Sequence, residues 1–115
     1  MYRILAIVAV ALAPVVSNAQ TLISDRDAFV QAVGGKTLSR PLQRFILGPN
    51  GEIQGTASGR DLTGSWNWQD GMFCWDLRWG GQILENDCQQ VAVEGSTVYL
   101  RKNRGAGQQA SYSIE

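Results

Sequence analysis

Four carboxylates around the tryptophan-rich middle of the chain are the residues whose types could do chemistry. They are Asp70, Asp76, Glu85 and Asp87. A pair of carboxyl groups beside aromatic rings is the arrangement that glycoside hydrolysis uses. The acids of this chain are scattered, and we interpret them as turn-forming and solvated residues, with a carboxylate-based hydrolase as the alternative.

The chain contains no histidine. Histidine is the commonest general base and metal ligand, and Ser-His or Cys-His nucleophilic catalysis depends on it. Catalysis would have to rest on carboxylates, on Lys36 or Lys102, or on the tyrosines. We therefore assign no catalytic residue, and we expect no metal and no cofactor.

The first 19 residues have the composition of a secretory signal peptide. Arg3 precedes an apolar run over residues 4–16, and Ser17-Asn18-Ala19 places small residues at the −3 and −1 positions of a cleavage site. The run is 13 residues long, and a membrane span needs about 20. We expect a periplasmic or secreted protein without a membrane anchor after cleavage, with residues 20–115 as one small domain.

Cys74 and Cys88 are the only cysteines. Export would carry them into an oxidising compartment, where an isolated pair forms a disulfide. The spacing is not Cys-x-x-Cys, and two thiols supply only half of a structural zinc site. We predict a structural disulfide, and the chain-entropy model gives a loop of this length roughly 3 kcal/mol of stabilisation.

The charges of the chain balance almost exactly. Removing Arg3 with the signal peptide leaves nine basic and ten acidic residues. This balance does not favour nucleic acid as a partner. The nearest approach to a basic patch is Arg101, Lys102 and Arg104, which we interpret as a solvated hairpin end; a contact site for an acidic partner is the alternative.

One short helix should precede the strands. Ser24 can cap it, with Asp27 three residues on and Asp25 favoured by the helix dipole. Phe29, Val30 and Val33 would form its apolar face, and Gly34-Gly35 would end it.

From Lys36 onward the sequence alternates as strands do. Turn signals at residues 48–51, 69–71 and 94–95 predict three hairpins, and residues 110–114 form a closing strand. Such regular spacing is typical of an antiparallel meander. We therefore predict a mainly β fold, in which the short N-terminal helix precedes a small β-barrel or sandwich with one disulfide.

Alternation also sorts the four tryptophans onto strand faces. Trp66 and Trp68 share one face of their strand, and Trp75 and Trp79 share one face of the next, opposite to Cys74. We predict that Trp75 and Trp79 fill the core, because small domains bury tryptophan. Trp66 or Trp68 is then the better candidate for a ligand contact, and an outward aromatic platform is the alternative.

The segment GSWNWQDGMFCWDLRWGGQILENDC, residues 64–88, resembles a group of short exported alphaproteobacterial proteins. The similar features are the signal peptide, the DRDAFV helix, the G-S-W-x-W strand, the two cysteines and a Gly-rich closing hairpin. Some members carry the name dihydrodipicolinate reductase, which implies a nicotinamide cofactor. This sequence has neither a glycine fingerprint between a strand and a helix nor a histidine, and it is too short for a two-domain reductase.

Two classes of function remain open. The first, which we favour, is a non-enzymatic binding or inhibitor-like module acting on an unknown protein or small-molecule ligand in the periplasm. The size, disulfide and tryptophans are similar to those of periplasmic β-barrel inhibitors of proteases or lysozymes, a likeness at the level of fold alone. The second class is an enzyme, either the reductase of the inherited name or a carboxylate-based hydrolase.

Overall fold

The computed structural model describes residues 20–115, and the predicted signal peptide lies outside them. The described residues form one helix, nine strands and a short 3₁₀ turn at Asn103–Gly105. In chain order the helix and strands are β1 (Thr21–Ile23), α1 (Arg26–Val33), β2 (Thr37–Arg40), β3 (Gln43–Leu47), β4 (Glu52–Ala57), β5 (Arg60–Gln69), β6 (Met72–Trp79), β7 (Gln82–Glu94), β8 (Thr97–Arg101) and β9 (Gln109–Ile114).

Strands β2 to β9 form a closed antiparallel barrel. Each pairs with the next along the chain, and β9 returns to pair with β2. Strand β1 adds to β7 outside this ring, through Thr21 opposite Val93. The prediction of a mainly β meander with one short helix is confirmed, and of the two architectures left open the barrel is correct.

The two ends of the barrel differ. At one end, which we call the helix end, Phe29 of α1 packs against the rings of Trp66, Trp68 and Phe73 at centroid distances of 5.3, 5.1 and 5.0 Å. At the opposite end, which we call the hairpin end, three two-residue turns join neighbouring strands. These turns are Pro41-Leu42, Ser58-Gly59 and Gly80-Gly81.

The N-cap of the helix lies one residue later than predicted. Asp25 is the N-cap, because its side chain accepts a hydrogen bond from the Ala28 N–H at 2.8 Å. The prediction of Ser24 as the cap is wrong. Phe29 and Val33 are buried and Val30 packs partly against the core, so the predicted apolar face is confirmed.

The inner faces of the strands build a single core rich in aromatic rings. Phe45 contacts Trp75 and Tyr112 edge-on, at 5.8 and 5.2 Å between centroids. Gly64 lets β5 and β6 approach closely, since a Cβ at this position would overlap the Asp76 carbonyl oxygen. The register that follows from the two-residue turn Asp70-Gly71 places Trp66 directly opposite Trp75.

All four tryptophans lie on the inner side of the barrel wall. Trp75 is 4% exposed, as predicted, whereas Trp79 is only half-buried. Trp66 is 5% exposed and donates its indole N–H to the Gly48 carbonyl at 2.9 Å. Trp68 is half-buried against Phe29. Trp66 and Trp75 therefore lie on the same side of the wall, and the enclosed ring of Trp66 has little surface for a ligand. Trp68, the other candidate contact residue, keeps part of its surface exposed.

The cysteines staple the outer face of the same two strands. Cys74 and Cys88 stand directly opposite each other on β6 and β7 and form a disulfide. The predicted pairing is confirmed, as is its position on the face opposite to Trp75. Such a bond is characteristic of proteins from oxidising compartments.

Candidate binding surface

Large aliphatic side chains are exposed at the hairpin end. Leu42 is 79% exposed at the tip of the turn between β2 and β3, and Ile83 and Leu84 are 71% and 53% exposed where β7 leaves the Gly80-Gly81 turn. The register between β6 and β7 shifts at this point, between Leu77 and Arg78. The β-bulge that results turns the aliphatic pair outward.

Two arginines lie over the aromatic rings that close this end. The Arg40 guanidinium lies 5.0 Å from the centroid of Tyr112, and that of Arg60 lies 4.9 Å from the centroid of Trp79. Trp79 also donates its indole N–H to the Ala57 carbonyl at 2.6 Å. Within residues 20–115 neither Arg40 nor Arg60 forms an ion pair with a carboxylate, so both keep their charge available for a partner.

Tyr112 is the buried polar group beneath Arg40. Burial raises the pKa of its hydroxyl above the ordinary value, Glu85 adds to the rise, and Arg40 and a hydrogen bond with Gln43 oppose it. The hydroxyl is therefore neutral at physiological pH. It is 3% exposed and serves the packing of the barrel end rather than its surface.

Two surface clefts meet at the Ser58-Gly59 turn. One, of about 390 Å³, is lined by the tip of the β2–β3 hairpin, including Arg40, Leu42 and Gln43. The other, of about 620 Å³, lies between this turn and Gly80-Gly81. A partner docked at the hairpin end would thus meet concave surface on both sides of one protruding turn.

Charged side chains of both signs line the two clefts. Arg40, Arg44 and Glu115 line the first, and Arg60 and Asp61 line the second. Arg44 and Glu115 form an ion pair at 3.4 Å. Arg40 and Arg60 have no such partner among residues 20–115, and an acidic group on a partner surface would complement them.

The four candidate acids lie in the β5–β6 turn and on strands β6 and β7. Asp70 contacts Arg104 at 3.5 Å, and Glu85 forms an ion pair with Lys102 at 3.2 Å. Asp87 accepts the backbone N–H of Asn103 at 2.9 Å. Asp76 lies opposite Asn86 in the β6–β7 ladder. Three of the four acids are thus occupied in holding the β8–β9 connection against the barrel.

The basic residues singled out in the sequence have internal partners as well. Lys102 and Arg104 take part in the two ion pairs just described. Arg101 donates to the Gly107 carbonyl at 3.1 Å and to the Gln109 side chain at 2.9 Å. These contacts accord with the interpretation of this segment as a hairpin end, and they leave its charges less available than those of Arg40 and Arg60.

Among the described residues, no cluster of three or more His, Cys, Asp or Glu side chains could hold a metal ion. No helix in residues 20–115 is long and apolar enough to cross a membrane. Comparisons with models of protein families, with curated proteins and with solved structures find no match for this chain.

Proposed function

We propose that the protein is exported and acts in the periplasm as a non-enzymatic, inhibitor-like module that binds another protein through its hairpin end. The observation that carries the proposal is the exposure of Leu42, Ile83 and Leu84 at one end of a barrel whose other large aliphatic residues are mostly buried. Exposed apolar side chains rimmed by polar groups are characteristic of protein–protein contact surfaces.

The unpaired arginines support the same function. Arginine is enriched in protein interfaces. Arg40 lines the same cleft as Leu42, and Arg60 lines the cleft beside Gly80-Gly81, the turn that leads into β7. Two-residue turns joined to a closed barrel hold these groups on a rigid frame, so little conformational entropy is lost on binding.

An affinity experiment on periplasmic extract tests the proposal. The immobilised protein should retain one or a few proteins specifically, and Ile83→Ser should weaken that retention. Leu22→Ser is the matched control, because Leu22 is 61% exposed but lies on β1, away from the hairpin end. The proposal would be contradicted if the immobilised parent retained no protein above a blank column. It would also be contradicted if Ile83→Ser and Leu22→Ser lowered the retention equally.

The competing reductase function requires binding of a nicotinamide cofactor, which a calorimetric titration tests. We expect no saturable calorimetric signal with NADPH or NADH at millimolar concentration, because nucleotide-binding folds place the pyrophosphate at a strand–glycine–helix turn. The one helix among residues 20–115 instead begins at Arg26 after an Asp N-cap. A saturable signal would favour the reductase and would refute this prediction.

A further inference from the structure

The turn at the tip of the β2–β3 hairpin has a leucine in the left-handed backbone conformation. Leu42 has φ of 68°, in the left-handed region where side chains other than Gly and Asn are disfavoured. Three other two-residue turns of the barrel place glycine at their second position, as Gly59, Gly71 and Gly81. Here the second position is a leucine, and its side chain is 79% exposed.

Neighbouring groups hold this conformation in place. Pro41 fixes its own φ and suits the position before a residue of positive φ. The Ser58 N–H donates to the Leu42 carbonyl at 2.8 Å, and the Arg40 Nε–H donates to the Gln43 side-chain oxygen at 2.8 Å. The turn is therefore tied to the next hairpin, and Leu42 projects from a fixed point.

The fold gains little from having leucine at this position. An exposed side chain contributes little burial, whereas the left-handed backbone disfavours its Cβ. Glycine would fit the same turn without that penalty. Backbone strain that the fold does not require is found mostly at functional sites.

We infer that Leu42 is the anchor residue of the hairpin end, and that it inserts into an apolar pocket, edged by carboxylates, on the protein partner. The inference rests on the proposed function and adds the contacting residue and the chemistry of its receptor. The carboxylate edge follows from Arg40, whose guanidinium has no ion-pair partner among the described residues and which flanks the same turn. A rigidly presented aliphatic chain that fills a pocket, with adjacent charged contacts, is the usual form of an interface hot spot.

Substitutions at this one position separate the anchor from a structural role. Leu42→Gly removes the side chain and the strain, and Leu42→Asn keeps a residue that tolerates the left-handed region. Both variants should unfold at the same denaturant midpoint as the parent or at a higher one. Both should also reduce the amount of the retained periplasmic protein by about tenfold or more, the effect of losing a hot spot.

Leu22→Gly is the control, since it removes another largely exposed leucine, 61% against 79% for Leu42, on β1 and away from the hairpin end, and it should leave retention unchanged. If the parent retains a protein and the Leu42 variants retain it equally well, the anchor is refuted while the proposed function stands. If the variants lose retention together with a large fall in the midpoint, Leu42 is structural and the inference is refuted. If the parent itself retains nothing, the proposed function is refuted, and the anchor that rests on it is refuted as well.

Discussion

Replacing Trp66 or Trp75 with alanine should lower the free energy of unfolding by about 3 to 5 kcal/mol, the range for removing a large aromatic side chain from a core. Each indole is at least 95% buried, and each touches other rings of the central cluster. A loss of this size is a large part of the stability of a small domain. Chemical denaturation of the purified variants measures it.

Milder variants provide the controls. Trp68→Ala and Trp79→Ala should cost less, because both side chains are half-buried. Trp66→Phe should be more destabilising than Trp75→Phe, since Trp66 loses its hydrogen bond to Gly48, whereas the buried Trp75 indole N–H has no protein partner among the described residues. Equal midpoints for the parent and all four alanine variants would show that the aromatic core is wrongly assigned.

Removing the disulfide should have the second largest effect. Cys74→Ala should cost roughly 2 to 5 kcal/mol, as is usual for small secreted domains. The bond joins facing residues of the central β6–β7 pair, so its loss also loosens the wall that carries Trp75.

Mass spectrometry of the exported protein examines the same bond and the predicted processing. The intact chain should begin at Gln20 and weigh two hydrogens less than its reduced form. Reaction of either cysteine with a maleimide in the absence of denaturant would contradict the disulfide assignment.

The hairpins and the disulfide could be predicted because local signals specify them. Gly48-Pro49-Asn50-Gly51 and Asp70-Gly71 are strong turn sequences, and strands flank both in the structure. The helix cap was harder to predict, since Ser24 and Asp25 are adjacent and both are good caps. Only the position of the Ala28 N–H decides between them.

The alternation of apolar and polar residues does not predict the first half of strand β7. The sequence predicts a strand from Gln89, but β7 begins at Gln82. Glu85 and Asp87 stand opposite Leu77 and Trp75, on the inner side of the wall, where the pattern expects apolar residues. A bulge nearby shifts the register, so the aliphatic residues of this segment face outward and no period-two signal is left.

Whether the two tryptophan pairs face the same side of the sheet could not be predicted from either strand alone. Alternation assigns faces within one strand, but the match between strands depends on register. The pairing of Trp66 with Trp75 follows from the register set by the Asp70-Gly71 turn, and it places both rings inside. The sequence accordingly offers Trp66 or Trp68 as a contact residue and gives no signal for Leu42, whose backbone conformation is visible only in the structure.

Amide hydrogen exchange on the complex with the retained periplasmic protein tests the central proposal most directly. We expect slower exchange on binding in the turns around Leu42 and Ser58 and at Ile83, with unchanged exchange in the helix Arg26–Val33. Protection confined to the helix end or to β1, with the hairpin end exchanging as in the free protein, would contradict it.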